Sequence, residues 1–126
     1  MPDYLTRAEV AAIHADQIER FGGSSGLRDG GQLEAALIRP QTGYYADIIE
    51  EGAALWESLS QNHPFVDGNK PTALAVTYTF LAINDVRMTA TAEDPWAFLQ
   101  SHYEDGTLKF AAIVSWLRAN TQASGE

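Results

Sequence analysis

Between Pro71 and Asn84 the apolar residues Leu74, Val76, Tyr78, Phe80, Leu81 and Ile83 fall on nearly every side of a helix. A helix without a polar face belongs inside a fold. This segment therefore predicts a central buried helix, and the rest of the chain reads as amphipathic helices set around it. Thr6-Arg7-Ala8-Glu9 is a capping box that starts a first helix. Val10, His14, Ile18 and Phe21 follow it as one stripe, and Gly22-Gly23 stop it. After a Gly- and Ser-rich loop, Asp29 with Gln32 announces a short second helix through Leu33, Ala36 and Leu37, which Pro40 ends.

The connector Pro40 to Ala46, with Gly43, Tyr44 and Tyr45, is expected to be extended. A third helix should start at Asp47, with Glu50 at the reciprocal capping position. Ile48, Gly52, Leu55 and Leu59 share its inner face, and Trp56 lies at the edge. Val86-Arg87-Met88 is at most a short strand. Asp94-Pro95 reads as an N-cap and first helical residue for a fifth helix reaching about Glu104. Thr107 is the expected cap of a sixth, with Phe110, Ile113, Val114 and Leu117 buried, and Thr121 to Glu126 reads as a frayed tail. The three tryptophans, Trp56, Trp96 and Trp116, read as packing residues. The expectation is an all-α fold, a compact bundle of about six helices in one domain spanning 1–126.

Charge and composition narrow the classes of function. Seventeen acidic residues against eight basic ones give a net charge of −9, with no basic stripe for a nucleic-acid backbone. The absence of cysteine excludes disulfides and thiolate metal sites, and fits a reducing cytoplasm. Met1-Pro2-Asp3-Tyr4-Leu5 lacks the basic and apolar regions of a signal peptide. No apolar run approaches the roughly 18 residues of a membrane span. The expected protein is cytoplasmic, with neither nucleic acid nor membrane as partner.

The chemistry concentrates in His63-Pro64-Phe65-Val66-Asp67-Gly68-Asn69-Lys70, a loop punctuated by Pro64 and Gly68 that leads straight into the central helix. A helix N-terminus presents unpaired N–H groups and a partial positive charge, which suits phosphate. Gly68 allows successive amides to point into one concavity. Asp67 suits a magnesium ion, which takes one or two carboxylates together with phosphate oxygens and water. His63 can accept a proton from an attacking hydroxyl near neutral pH. These parts describe transfer of a phosphate-containing group. The bare spacing leaves a plainer reading open, in which Asp67 and Asn69 simply cap the core helix. Elsewhere, His14 reads as a hydrogen-bonded core histidine, and Arg28-Asp29 as residues that order a loop and cap the second helix.

The same stretch resembles the signature of the Fic/Doc family, His-x-Phe-x-Asp/Glu-Gly/Ala-Asn-Gly/Lys-Arg, which His63, Phe65, Asp67, Gly68, Asn69 and Lys70 match in order. Phe21-Gly22-Gly23, Gly26-Leu27-Arg28-Asp29, Leu33-Glu34-Ala35-Ala36-Leu37 and Thr72-Ala73-Leu74 look like further blocks of its short, Doc-type ("death on curing") branch. The resemblance implies a helical domain that uses ATP and Mg2+ to modify a protein hydroxyl. It makes His63 the catalytic base, Asp67 the metal ligand and Phe65 an apolar anchor, and gives the phosphate contacts to Gly68, Asn69, Lys70 and Thr72. By the same resemblance Tyr44 and Tyr45 lie on a flap that contacts the target. Members with glycine at the position of Lys70 transfer AMP. Doc-type members with lysine there phosphorylate elongation factor Tu, arrest translation and are silenced by an antitoxin that docks a helix near the active site.

One residue departs from the pattern. The family signature continues with arginine after the position of Lys70, and this chain has Pro71. Arginine would provide a forked clamp on phosphate oxygens, whereas proline brings no charge and no N–H. Loss of one such preorganised group typically costs about 10²–10³ in rate. Proline in the first helical turn leaves the helix intact. The expectation is a sound fold with an impaired phosphate site. The alternatives are AMP transfer, or a catalytically silent fold that binds an antitoxin or target.

Overall fold

The capping box closes at the start of the chain. Thr6 Oγ1 accepts from the Glu9 amide at 3.2 Å, and Glu9 Oε1 accepts from the Thr6 amide at 2.8 Å. This starts helix α1, Arg7–Phe21. The computed structural model describes residues 2–89 and 93–124. Along them follow α2 (Gly30–Ile38), α3 (Ile48–Gln61), α4 (Asn69–Ile83), the strand β1 (Val86–Met88), α5 (Pro95–Glu104), α6 (Phe110–Ala119) and the strand β2 (Thr121–Ala123). Six helices and one two-stranded ribbon bear out the expected helical bundle.

The centre is α3 rather than α4. Gly52 to Trp56 and Ser58 to Ser60 are all buried, and Trp56 is fully enclosed rather than at an edge. Its ring meets Phe98 and Trp116 edge-on, with centroids 5.9 and 5.7 Å away. The reason is topological: α3 is flanked by α4, α6 and α2, while α4 packs chiefly against α3, α1 and β1. Tyr78 and Ile83 on α4 consequently face outward, as do Phe21 at the end of α1 and Trp96 on α5. The apolar composition of α4 thus supplies both a core face and an uncovered one.

Several boundaries differ from expectation for identifiable reasons. Pro40 does end α2, but the connector is not extended. Arg39–Thr42 forms a 3-10 turn with Pro40 buried in its first positions, where a fixed φ suits helical geometry. Arg39 holds this turn on α3 by donating to Glu57 Oε1 and Ser58 Oγ, each at 2.9 Å. Thr107 does not cap α6. Its hydroxyl is engaged with His102, and the first amide of α6, Phe110 N–H, donates to Glu57 Oε2 at 2.7 Å. One carboxylate of α3 therefore secures both the connector and α6. Thr121 to Ala123 do not fray, because they pair antiparallel with β1 in the register Val86↔Ala123 and Met88↔Thr121. Residues 125–126 of the expected tail lie outside the described residues. Among the described residues no helix is long and apolar enough to cross a membrane.

Candidate active site

The loop between α3 and α4 is held in shape from three sides. From below, Asn69 folds back on it: Asn69 Oδ1 accepts from the Phe65 amide and Asn69 Nδ2 donates to the Phe65 carbonyl, both at 3.0 Å. The Phe65 ring is buried and lies flat on His14 of α1, centroids 3.8 Å apart and planes within 6°. His14 Nε2 in turn sits 2.8 Å from the Asp67 carbonyl. From the side, the α1–α2 loop forms a short antiparallel bridge, Leu27 against Phe65. The amides of Arg28 and Asp29 both donate to the Pro64 carbonyl, and the Val66 amide donates to the Gly26 carbonyl. From above, the Arg28 guanidinium donates to the carbonyls of His63 at 2.5 Å and Asn62 at 2.8 Å. That clamp sits where His63 adopts φ of 47°, a left-handed conformation unfavourable for a non-glycine residue.

Gly68 completes the turn. It is the N-cap of α4 with φ of 73°, a left-handed conformation that calls for glycine, and it lies close to the tip of the Ile18 side chain. Beyond it the amides of Asn69 and Lys70 have no acceptor among the described residues. Pro71, the third helical residue, has no N–H, and the Thr72 amide already donates to the Gly68 carbonyl at 3.1 Å. The N-terminal end of α4 thereby offers one N–H donor fewer, without any break in the helix.

His63, Val66, Asp67, Gly68, Asn69, Lys70, Pro71 and Tyr103 line one open cleft of about 290 Å³. The imidazole of His63 and the carboxylate of Asp67 are both exposed there. Asp67 Oδ2 accepts from the Ser24 amide at 3.2 Å, and Oδ1 from its neighbour Gly68 at 2.9 Å. Gly23 permits this approach, since a Cβ on it would lie 2.7 Å from Asp67 Oδ2. Each carboxylate oxygen keeps a lone pair free. No cluster of three or more metal-ligating side chains occurs among the described residues. The donor set accordingly fits magnesium completed by phosphate oxygens and water, and does not fit a closed protein cage. Lys70 places its ammonium 3.8 Å from the centroid of the Tyr103 ring.

The site residues expected from sequence separate into two groups. His63, Asp67, Gly68, Asn69 and Lys70 converge on the cleft. Asn69 does so through its backbone, because its side chain is committed to Phe65. Phe65 is the buried anchor. Thr72 does not reach the cleft: it is buried, its amide is consumed at the start of α4, and its hydroxyl has no hydrogen-bond partner among the described residues. Tyr44 and Tyr45 do not line the cleft either. Tyr45 is pinned, accepting from Arg39 Nε at 2.7 Å and packing on Phe110, while Tyr44 projects with 84% of its surface exposed. Sequence reasoning missed Gly23, Ser24 and Tyr103. Nothing local marks Tyr103, which is brought in from the last turn of α5. His14 and Arg28 were legible as structural residues, though not as supports of this loop.

The profile of the Fic/DOC family matches residues 4–81, from the segment before α1 through most of α4. The chain is 44% identical over 95 residues to a protein named "Toxin Doc" from Mycolicibacterium smegmatis, covering 71% of each. It is 32% identical over 119 residues to "Protein kinase doc" of Escherichia phage P1, covering 91% of this chain and 93% of that one. A cleft built from the motif loop, the long family match and these two relatives place the chain in the Fic/DOC family, within its Doc-type branch.

Proposed function

We propose that the protein is the toxin of a toxin–antitoxin pair, and that it transfers a phosphate group from ATP to a hydroxyl of a protein target, at a rate reduced by Pro71. The observation that carries this reading is the convergence on a single cleft, at the N-terminus of α4, of one imidazole, one carboxylate and two amides without an acceptor among the described residues. Elongation factor Tu is the target implied by the motif. Lys70 and the kinase named among the relatives favour phosphate over AMP as the group moved.

In this reading His63 is the base. Its ring has no partner among the described residues, and the Arg28 clamp fixes its backbone, so it can take the hydroxyl proton as the oxygen attacks the terminal phosphorus. The bond from that phosphorus to its bridging oxygen breaks, and the nucleoside diphosphate leaves with the electron pair. The amides of Asn69 and Lys70 and the Lys70 ammonium hold phosphate oxygens by aligned N–H donors and charge. Asp67 would hold magnesium, which supplies neutralisation of phosphate charge. Position and charge, rather than a covalent intermediate on the protein, do the catalysis.

Beside the cleft, and sharing Pro71 with it, runs an apolar groove of about 390 Å³ lined by Phe21, Leu74, Tyr78 and Trp96 among others. Phe21 is 72% and Tyr78 51% exposed. This groove is the surface we assign to a helix of the antitoxin, whose apolar stripe it suits and whose position would then abut the phosphate site.

The test compares the chain with Pro71→Arg and His63→Ala in the presence of Mg2+, elongation factor Tu and ATP labelled at either the γ or the α phosphate. The expected result is γ-label on the target, about 10²–10³ faster with Pro71→Arg and abolished by His63→Ala. Transfer of α-label would replace this reading by AMP transfer. No transfer even by Pro71→Arg would leave a binding module.

A further inference from the structure

We propose that Tyr103 is a positioning residue, its ring face fixing the Lys70 ammonium over the cleft so that the charge is already in place for a phosphate oxygen. This rests on the reading of the cleft as a phosphate site. Lysine is a point charge on a flexible four-carbon stem, and left alone its ammonium wanders over a wide volume. Two kinds of partner can restrain it. A carboxylate would do so at the cost of cancelling its charge and occupying its N–H donors. An aromatic face attracts the cation through the ring quadrupole and leaves the charge and most donors for another ligand.

Lys70 has the second kind of partner. Its ammonium lies 3.8 Å from the Tyr103 centroid, and it makes no ion pair with a carboxylate among the described residues. Among the described residues lining the cleft it is the sole lysine or arginine, and Pro71 stands where the family motif has arginine. The ring is itself held firmly. Phe98 and Leu99, earlier on α5, are buried in the core. At the end of the helix the Gly106 amide donates to the Tyr103 carbonyl at 3.2 Å, and the Thr107 amide to the His102 carbonyl at 2.8 Å. The Tyr103 ring packs half-buried against the core. Its hydroxyl makes no hydrogen bond among the described residues, so the ring rather than the phenol is the working part.

The test titrates Mg·ATP into the intact chain, Tyr103→Phe, Tyr103→Leu, Lys70→Met and the double variant Lys70→Met/Tyr103→Leu, with the Lys70 Hε resonances followed by NMR. Tyr103→Leu should weaken binding about fivefold, while Tyr103→Phe stays within about twofold of the parent. In the Lys70→Met background, Tyr103→Leu should have no further effect. The upfield ring-current shift of Lys70 Hε should persist in Tyr103→Phe and vanish in Tyr103→Leu. If a thermal melt shows Tyr103→Leu to be unfolded, the ringless Tyr103→Met takes its place. Equal losses with and without Lys70, equal losses in Tyr103→Phe and Tyr103→Leu, or no ring-current shift in the parent would each overturn the inference while leaving the phosphate site standing. No binding of Mg·ATP by the parent would overturn the phosphate reading, and the inference with it.

Discussion

Replacement of Arg28 by alanine should loosen the motif loop selectively. The guanidinium spans two carbonyls, His63 at 2.5 Å and Asn62 at 2.8 Å, just where the backbone of His63 is left-handed. Hydrogen bonds to a charged donor contribute about 1.5–3 kcal/mol each when buried. Arg28 is exposed, so solvent competition reduces the pair to about 1–2 kcal/mol together. The remaining supports of the loop, Asn69 on Phe65 and the amides of Arg28 and Asp29 on Pro64, are backbone or buried contacts that the change leaves alone. The loop should therefore open more often without the bundle unfolding. Native-state hydrogen exchange reads this directly at the amides of Phe65 and Val66, whose acceptors are Asn69 Oδ1 and the Gly26 carbonyl. A change of about 1–2 kcal/mol predicts exchange about 5–30-fold faster at these amides, with core amides of α3 much less affected. Arg28→Lys, which keeps the charge but loses the fork, should fall between. Unchanged exchange in the loop of Arg28→Ala would refute the clamp, and equal acceleration through α3 would refute its local character.

Two further substitutions probe the loop and the start of α3. Asn69→Ala strips both backbone groups of Phe65 of their partner and should lower stability by about 1–3 kcal/mol in urea melts, more than Arg28→Ala does. The Asp47 carboxyl is pushed up by partial burial, but hydrogen bonds from the Glu50 and Ile49 amides and the Arg118 guanidinium outweigh this and hold it below its ordinary value. A depressed folded pKa stabilises above the unfolded value of about 3.9 and is lost as pH falls through the folded one. Asp47→Asn keeps an N-cap acceptor but not the charge. Its deficit against the parent should be under about 1 kcal/mol at pH 6, given the exposed Arg118 pair, and should shrink in urea melts as pH falls below about 4.

Much of the architecture was written in local chemistry. The capping box at Thr6, the Asp29, Asp47 and Asp94 caps and the glycine stops set helix ends by hydrogen bonds within a few residues, and such signals survive in sequence. The loop from His63 to Lys70 was equally legible, because Pro64 and Gly68 force a turn and the following helix offers its free amides. What the chain alone left open was long-range. Which apolar helix lies at the centre depends on how many neighbours cover it, and α3 rather than α4 has the larger share. Thr107 was a sound local cap displaced by Glu57 arriving from α3. Thr121 to Ala123 form a strand only because β1 lies alongside. At the cleft, sequence supplied the imidazole, the carboxylate and the missing arginine. Tertiary structure decided that Asn69 braces the loop, that Thr72 is buried, and that Lys70 rests on a tyrosine distant in the chain. Local backbone chemistry is encoded residue by residue. Covering surfaces and partners from other elements exist only once the helices have packed.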